Sequence, residues 1–353
     1  NIGLTMTLGA LNGNFAFSKA GSGEMILGTN STRSGGTATL LAGTLKLSHA
    51  SGLGTNAVPL QLNGGILDLA TDASVTAYNT TVGTDVTIIS NRATSGAGIT
   101  HVLGTLGIGA NTLSINQGAN VSSGTSAVQF GNFTMTGAAT LSPNTANLIM
   151  AGNATGAFKL TMSGAGTLQK TTTAWTLGDD FELNAGTYDA TTQNTTILGN
   201  WLNNGATHTA SGASTVIFNG SSVQSIGGSL STMFNNLTID NTSGVSLGNN
   251  QTVNAVLTLT NGKLNVPTGN TLTLANGNAI SGSGFDAGKH IATFVDYGTG
   301  AKGFVRINNM ATSVSYPLPV GDGTNYLPVT LTPGDATVAN NTFNVCVFTG
   351  LTT

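Results

Sequence analysis

The sequence predicts an all-β fold: a right-handed parallel β-helix followed by a small antiparallel β-sandwich-like domain. Three observations carry that reading. A short phrase of alternating apolar residues recurs along the chain. Glycine accounts for 50 of 353 residues, and charged residues for only 7%, against roughly 25% in an ordinary soluble domain. Gly, Asn, Thr and Ser are poor helix formers, and no long stretch carries the Ala/Glu/Lys/Leu pattern of a helix.

The phrase is a Gly, a Thr or similar residue, then alternating apolar residues. It reads Ala42-Gly43-Thr44-Leu45-Lys46-Leu47 and returns as Gly64-Gly65-Ile66-Leu67-Asp68-Leu69. Later versions include Asn111-Thr112-Leu113-Ser114-Ile115, Asn236-Leu237-Thr238-Ile239 and Thr271-Leu272-Thr273-Leu274. Period-2 alternation marks a short strand with one apolar and one polar face, and Gly/Asn/Ser clusters punctuate the strands. One such strand cannot bury its apolar face alone, whereas stacked coils bury a continuous core. At roughly 20 residues per coil and about 4.8 Å per rung, residues 1–290 predict on the order of 14 coils and a rod about 65 Å long. Thr and Asn positions are expected to stack as ladders.

Residues 291–353 read differently. Phe304-Val305-Arg306-Ile307, Ser313–Val320, Tyr326–Leu331 and Phe343–Phe348 are strands, and Pro317, Pro319, Pro328 and Pro333 lie among them. Prolines sit at sheet edges and strand ends. About four strands are visible, fewer than the roughly seven of a full sandwich. The domain is therefore either incomplete or completed by a strand from elsewhere. Cys346 reads as an apolar residue buried in the last strand, with an intermolecular disulfide as the alternative.

Net charge is -3, and the ten Lys and Arg residues are scattered. That excludes the clustered basic footprint that nucleic acid requires and leaves little charge repulsion against self-association. No run approaches the roughly 18 apolar residues of a membrane helix, so membrane insertion is not expected. Asn1-Ile2-Gly3-Leu4 lacks the basic start and apolar run of a signal peptide. The chain is expected to be a mature form or a piece of something longer.

β-Helices can carry polysaccharide chemistry, which needs converging acids with a basic partner. The inventory is eleven Asp, two Glu and four His. The densest cluster is Asp179-Asp180-Phe181-Glu182, in which Asp180 and Glu182 share a strand face about 7 Å apart. They read as a solvated turn entering a strand, and the alternative is a paired-carboxylate site with Lys159 or Lys170 as its basic partner. Asp68 and Asp72 are close in sequence, but alternation points Asp68 outward. His49, His101, His208 and His290 are isolated from other metal-ligand residues and read as surface or turn residues. Gly321-Asp322-Gly323-Thr324-Asn325 reads as a plain turn, lacking the repeated acids of a calcium loop. The paired glycines Gly21/Gly23, Gly96/Gly98 and Gly164/Gly166 precede no helix and are not phosphate loops. Trp175 and Trp201 read as core or coil-edge packing. Asn79, Asn153, Asn194, Asn219 and Asn236 head Asn-x-Ser/Thr triplets, which arise by chance in so Asn- and Thr-rich a chain. No catalytic, cofactor-binding or metal residue is assigned, and no cofactor is expected.

Residues 13 to about 140 resemble the autotransporter-associated β-strand repeat of secreted bacterial passenger-like proteins. Phe17–Leu27, Leu41–Leu47 and Ala50–Thr55 carry the resemblance. Residues 200–275 are similar to repeats of secreted surface proteins in the Bacteroidetes and related Gram-negative bacteria, through Gly199–Gly205, Val216–Gly220 and Phe234–Ile239. Pro319-Val320-Gly321 with Tyr326-Leu327-Pro328-Val329 is similar to a small domain common in that group. The resemblance implies export, a β-solenoid and an extracellular or cell-surface location, and it implies no reaction.

The expected function is accordingly structural. The chain reads as a non-enzymatic, self-assembling subunit of an extracellular filament or surface fibre, or as a segment of a stalk. Its partner would be itself, through end-to-end or donor-strand contacts, with Ile2–Leu8 as the candidate donor strand. The rivals are a cell-surface adhesin with a specific ligand such as a glycan, and a polysaccharide lyase or hydrolase.

Overall fold

The computed structural model describes residues 4–209, 212–277, 280–334 and 341–349. Among these the chain is all-β without a helix, a parallel β-solenoid of about 13 turns. It forms two compact units: residues 1–175 with 184–189, and residues 176–183 with 190–353.

In the first unit each coil contributes one short strand to each of up to three parallel sheets. One sheet runs from Thr5–Leu8 through Glu24–Leu27, Thr44–Leu47, Ile66–Ala70 and Val86–Asn91 to Leu160–Met162. Another runs from Phe17–Lys19 to Ala154–Thr155, and the third from Thr100–Val102 to Thr187–Asp189. The in/out alternation becomes inward columns: Leu27, Leu47 and Leu69 stack in register, each at most 1% exposed. The phrase's leading glycine has a steric reason. Gly65 holds φ +78°, and a Cβ there would sit 2.4 Å from the carbonyl oxygen of Gly43 one coil back. Only glycine allows that turn and that approach together.

In the second unit the same architecture runs through Phe181–Leu183, Trp201–Asn203, Gln224–Gly227, Val245–Leu247 and Leu264–Val266. Trp201 is fully buried, edge-on to Phe181 and Phe234 with ring centroids 5.4 Å away in each case. Parallel pairing runs on past residue 290, where the sequence reading expected a change. Ile291–Thr293 pairs parallel with Leu264–Val266, and Phe304–Met310 with Thr271–Leu274. Among the described residues two strand pairs are antiparallel, Asn341–Val345 on Phe304–Met310 and Tyr316–Leu318 with Val329–Leu331, beside isolated antiparallel bridges such as Val295 to Lys302. Cys346 is half-buried, not buried.

Side-chain ladders bind the coils laterally. Asn79 Oδ1 accepts the Thr105 N–H at 3.0 Å, Asn132 the Asn153 N–H at 3.1 Å, Asn147 the Thr167 N–H at 3.2 Å and Asn250 the Thr271 N–H at 2.8 Å. Each partner lies one coil further on. Buried cations do the same through carbonyls. Lys19 Nζ donates to Ala20, Gly21 and Ala42 oxygens, and fully buried Arg33 donates to those of Phe15, Gly36 and Leu53.

Candidate functional site

Of the three acids flagged around Phe181, two, Asp180 and Glu182, bond to the next coil, while Asp179 is exposed. Asp180 Oδ1 accepts the Asn200 backbone N–H at 2.6 Å and its Nδ2 at 2.9 Å, while Asn200 Oδ1 receives the Ser225 N–H at 2.7 Å. Glu182 Oε1 accepts Asn204 Nδ2 at 3.1 Å. Asp180 and Glu182 thus bond two different asparagines. Of their proposed basic partners, Lys159 is half-buried. Lys170 is fully buried inside the first unit, 5.6 Å from the Trp175 ring, and burial lowers its pKa to about 7. A lysine sealed from solvent cannot reach a polysaccharide.

Asp68 and Asp72 belong to a second locus, where the coils lengthen. Most ladder bonds span about 20 residues, but those from Asn79, Asp85 and Gln117 span 26, 27 and 28. The extra residues form a lateral two-stranded sheet, Gly96–Ala97 with Val121–Ser123. Asn91 is the hub beneath it. Its Nδ2 donates to Asp68 at 3.1 Å, its Oδ1 receives the Arg92 and Asn120 N–H groups, and its carbonyl meets His101 Nε2 at 2.8 Å. Asp68 therefore points outward yet is only 7% exposed. Burial raises its pKa, against the Asn91 bond and Lys46, whose Nζ is 3.6 Å away. Asp72 sits apart, at the exposed rim. It accepts from Thr94 and pairs with Arg92 at 3.1 Å, and the Thr94 bonds lead in holding its pKa low. This arrangement pins an enlarged coil to its neighbours.

Two histidines depart from their expected surface or turn placement: His101 and His208 lie in strands, His101 fully buried and His208 nearly so. His49 and His290 lie in bends, His49 half-buried and His290 fully buried. Burial pushes the pKa of both His101 and His290 down. No three His, Cys, Asp or Glu side chains among the described residues converge on a point. The Gly321–Asn325 turn is closed by Asp322, whose Oδ1 receives the Thr324 and Asn325 N–H groups at 3.1 and 2.7 Å.

Two sheet edges stand out. In the first unit, Thr5–Leu8 is ladder-paired on one side alone among the described residues. Its Met6 heads the inward column Met6–Met25–Leu45–Leu67, in which exposure falls from 47% to 9% and then to zero. Leu4 beside it is 80% exposed. In the second unit, Asn341–Val345 is paired on one side alone among the described residues. Its Phe343 ends the inward column Val253–Leu274–Ile307–Phe343, buried except for Phe343 at 41% exposure. Each unit thus has a core column that ends uncovered beside an open ladder. The segment read as a strand donor is this first coil strand from Thr5 to Leu8, while Ile2 and Gly3 lie outside the described residues.

Sequence reading identified the acids and marked both ends of the chain for strand exchange, but missed the Asn91 hub and the exposed column ends Met6 and Phe343. The coil lengthening between Asn79 and Asn144 was the available signal for the hub. No protein-family model, curated protein or solved structure matches this chain.

Proposed function

We propose that this chain is a non-enzymatic extracellular structural protein, the subunit of a surface filament or stalk, and that copies associate through their open edges. The observation that carries the reading is the pair of core columns ending at Met6 and Phe343 beside one-sided ladders. An uncovered strand edge templates pairing with another chain, and burying the two side chains supplies a hydrophobic gain of about 25 cal/mol per Å² of apolar surface covered. Thr5–Leu8 of one copy then meets Asn341–Val345 of the next.

Three further features support the reading. Net charge is near zero, so copies do not repel strongly. Asp180 and Glu182, the paired acids that a glycan-cleaving reading would use, bond to asparagines of the next coil. The resemblance to secreted passenger-like repeats implies a cell-surface location. We take the coils as right-handed, the hand that parallel crossover connections adopt, and the antiparallel strand Asn341–Val345 as an edge that a neighbouring copy completes.

Cysteine pairing tests the contact. In a Cys346→Ser background, a chain with Thr7→Cys and one with Asn344→Cys are mixed under mild oxidation. Covalent heterodimers form if the edges meet. Failure of any cysteine pair placed along the two strands to cross-link overturns the proposed contact.

A further inference from the structure

The geometry points to a neutral-glycan binding groove in the second unit, a reading independent of self-association. The groove is a shallow, open depression of about 510 Å³ between the Pro267–Thr268 turn and the segment Phe294–Asp296. Its floor carries Ser246 and Asn265, paired in register on adjacent strands and therefore about 4.8 Å apart at the backbone.

Asn265 differs from the asparagines described above. Those of the ladders use their amide oxygens to accept from the next coil. Asn265 and Ser246 are half-buried, and neither side chain bonds any group among the described residues. Both reach solvent, so their polar atoms are available to a ligand's hydroxyl groups. An amide both donates and accepts, as a sugar hydroxyl does.

Phe294 supplies the apolar wall. Its ring lies over Gly323, where a Cβ would meet it at 2.9 Å and where φ is +90°. That turn is tied from two sides: Asp322 closes it, and Lys263 Nζ donates to the Gly323 carbonyl at 2.6 Å. The ring, 37% exposed, is thus held on a backbone pedestal before any ligand arrives, which lowers the ordering cost of binding. A pyranose presents C–H groups on one face and hydroxyls around its edge, which matches an aromatic wall beside polar groups. At the rim, Asp296 Oδ2 accepts the Thr299 hydroxyl at 2.6 Å and keeps capacity for a second donor. Its negative charge disfavours anionic sugars, so the ligand class is a neutral oligosaccharide.

The test is ligand-observed NMR on the whole chain, with cellotetraose, maltotetraose and chitotriose as neutral probes and tetragalacturonate as the anionic one. The expected result is saturable binding of at least one neutral probe and none of tetragalacturonate. Phe294→Ala and Asn265→Ala should each weaken it about tenfold, equivalent to about 1.4 kcal/mol. A thermal melt of each variant, with the glycan titration run well below its midpoint, separates a loss of binding from a loss of folding. If no neutral probe binds at millimolar concentration, or if both variants bind like the parent, the groove is not a glycan site. Neither outcome bears on filament formation, which is measured without sugar.

Discussion

The backbone of Val256 and the side chain of Asn236 are joined across one coil: the Val256 N–H reaches Asn236 Oδ1 at 3.1 Å, while Val256 returns its carbonyl to the Leu237 N–H at 2.9 Å. On its other side Asn236 Nδ2 donates to the Ala213 and Ser214 carbonyls, each at 3.2 Å. One amide thus ties three successive coils. Asn236→Ala leaves these backbone groups to water, at a cost of about 0.5–1.5 kcal/mol. The urea midpoint should fall accordingly, and an unchanged midpoint would show that the ladder contributes nothing to stability.

Asp180 tests whether the flagged acid acts by charge or by hydrogen bonding. An asparagine side chain keeps the oxygen that accepts from Asn200. Asp180→Asn should then stay within about 0.5 kcal/mol of the parent, while Asp180→Ala costs about 1–2 kcal/mol. Equal losses in the two variants, measured by thermal unfolding, would mean that the charge itself matters.

Lys170 gives a pH dependence with a defined sign. It continues the inward column Phe130–Met150–Lys170. Its folded pKa is lowered to about 7 from an ordinary 10.5. Between those values the unfolded chain holds a proton that the folded chain has given up, so stability rises with pH across the window. The slope at its steepest is about 1.4 kcal/mol per pH unit. Lys170→Met places in the column the residue type that Met150 already supplies. This variant should be the more stable at pH 7 and should lose that part of the slope. Parallel urea-midpoint profiles from pH 7 to 10 would contradict the assignment.

Gly65 tests the close approach in the repeated phrase. Gly65→Ala places a Cβ 2.4 Å from the Gly43 carbonyl oxygen at a φ of +78°. Strain of this kind costs about 1–3 kcal/mol. Because Trp175 and Trp201 are fully buried, intrinsic fluorescence reports the unfolding midpoint directly. A midpoint equal to the parent's would mean that the coil shifts to admit the methyl group.

The solenoid was legible because its cause is local. Leu45 and Leu47 alternate with Thr44 and Lys46, and the flanking glycine announces the turn. Which outward residue ends up covered depends on a neighbouring coil and is not local. Asp68 has the same alternation as Lys46, yet the lengthened coil that begins near Asn79 brings Asn91 over it. Two of the histidines were misplaced for a related reason. His101 lies in Thr100–Val102, whose flanks read as turns, and only its parallel pairing with Ala127–Phe130 turns the ring inward. The Asn ladders were expected in kind, but asparagine in sequence does not distinguish a turn residue from one reaching 20 residues ahead. The groove floor was illegible as well, since Asn265 is identified by the bonds it does not make.

Electron microscopy of the purified chain at near-neutral pH tests the central claim most directly, with the Met6→Asp/Phe343→Asp double variant as its control. Both positions are exposed core-column ends, so the double variant folds but places a charge on each edge. The account predicts regular filaments from the parent and isolated particles from the variant. Isolated particles from the parent at high concentration, or filaments from both chains, would contradict it.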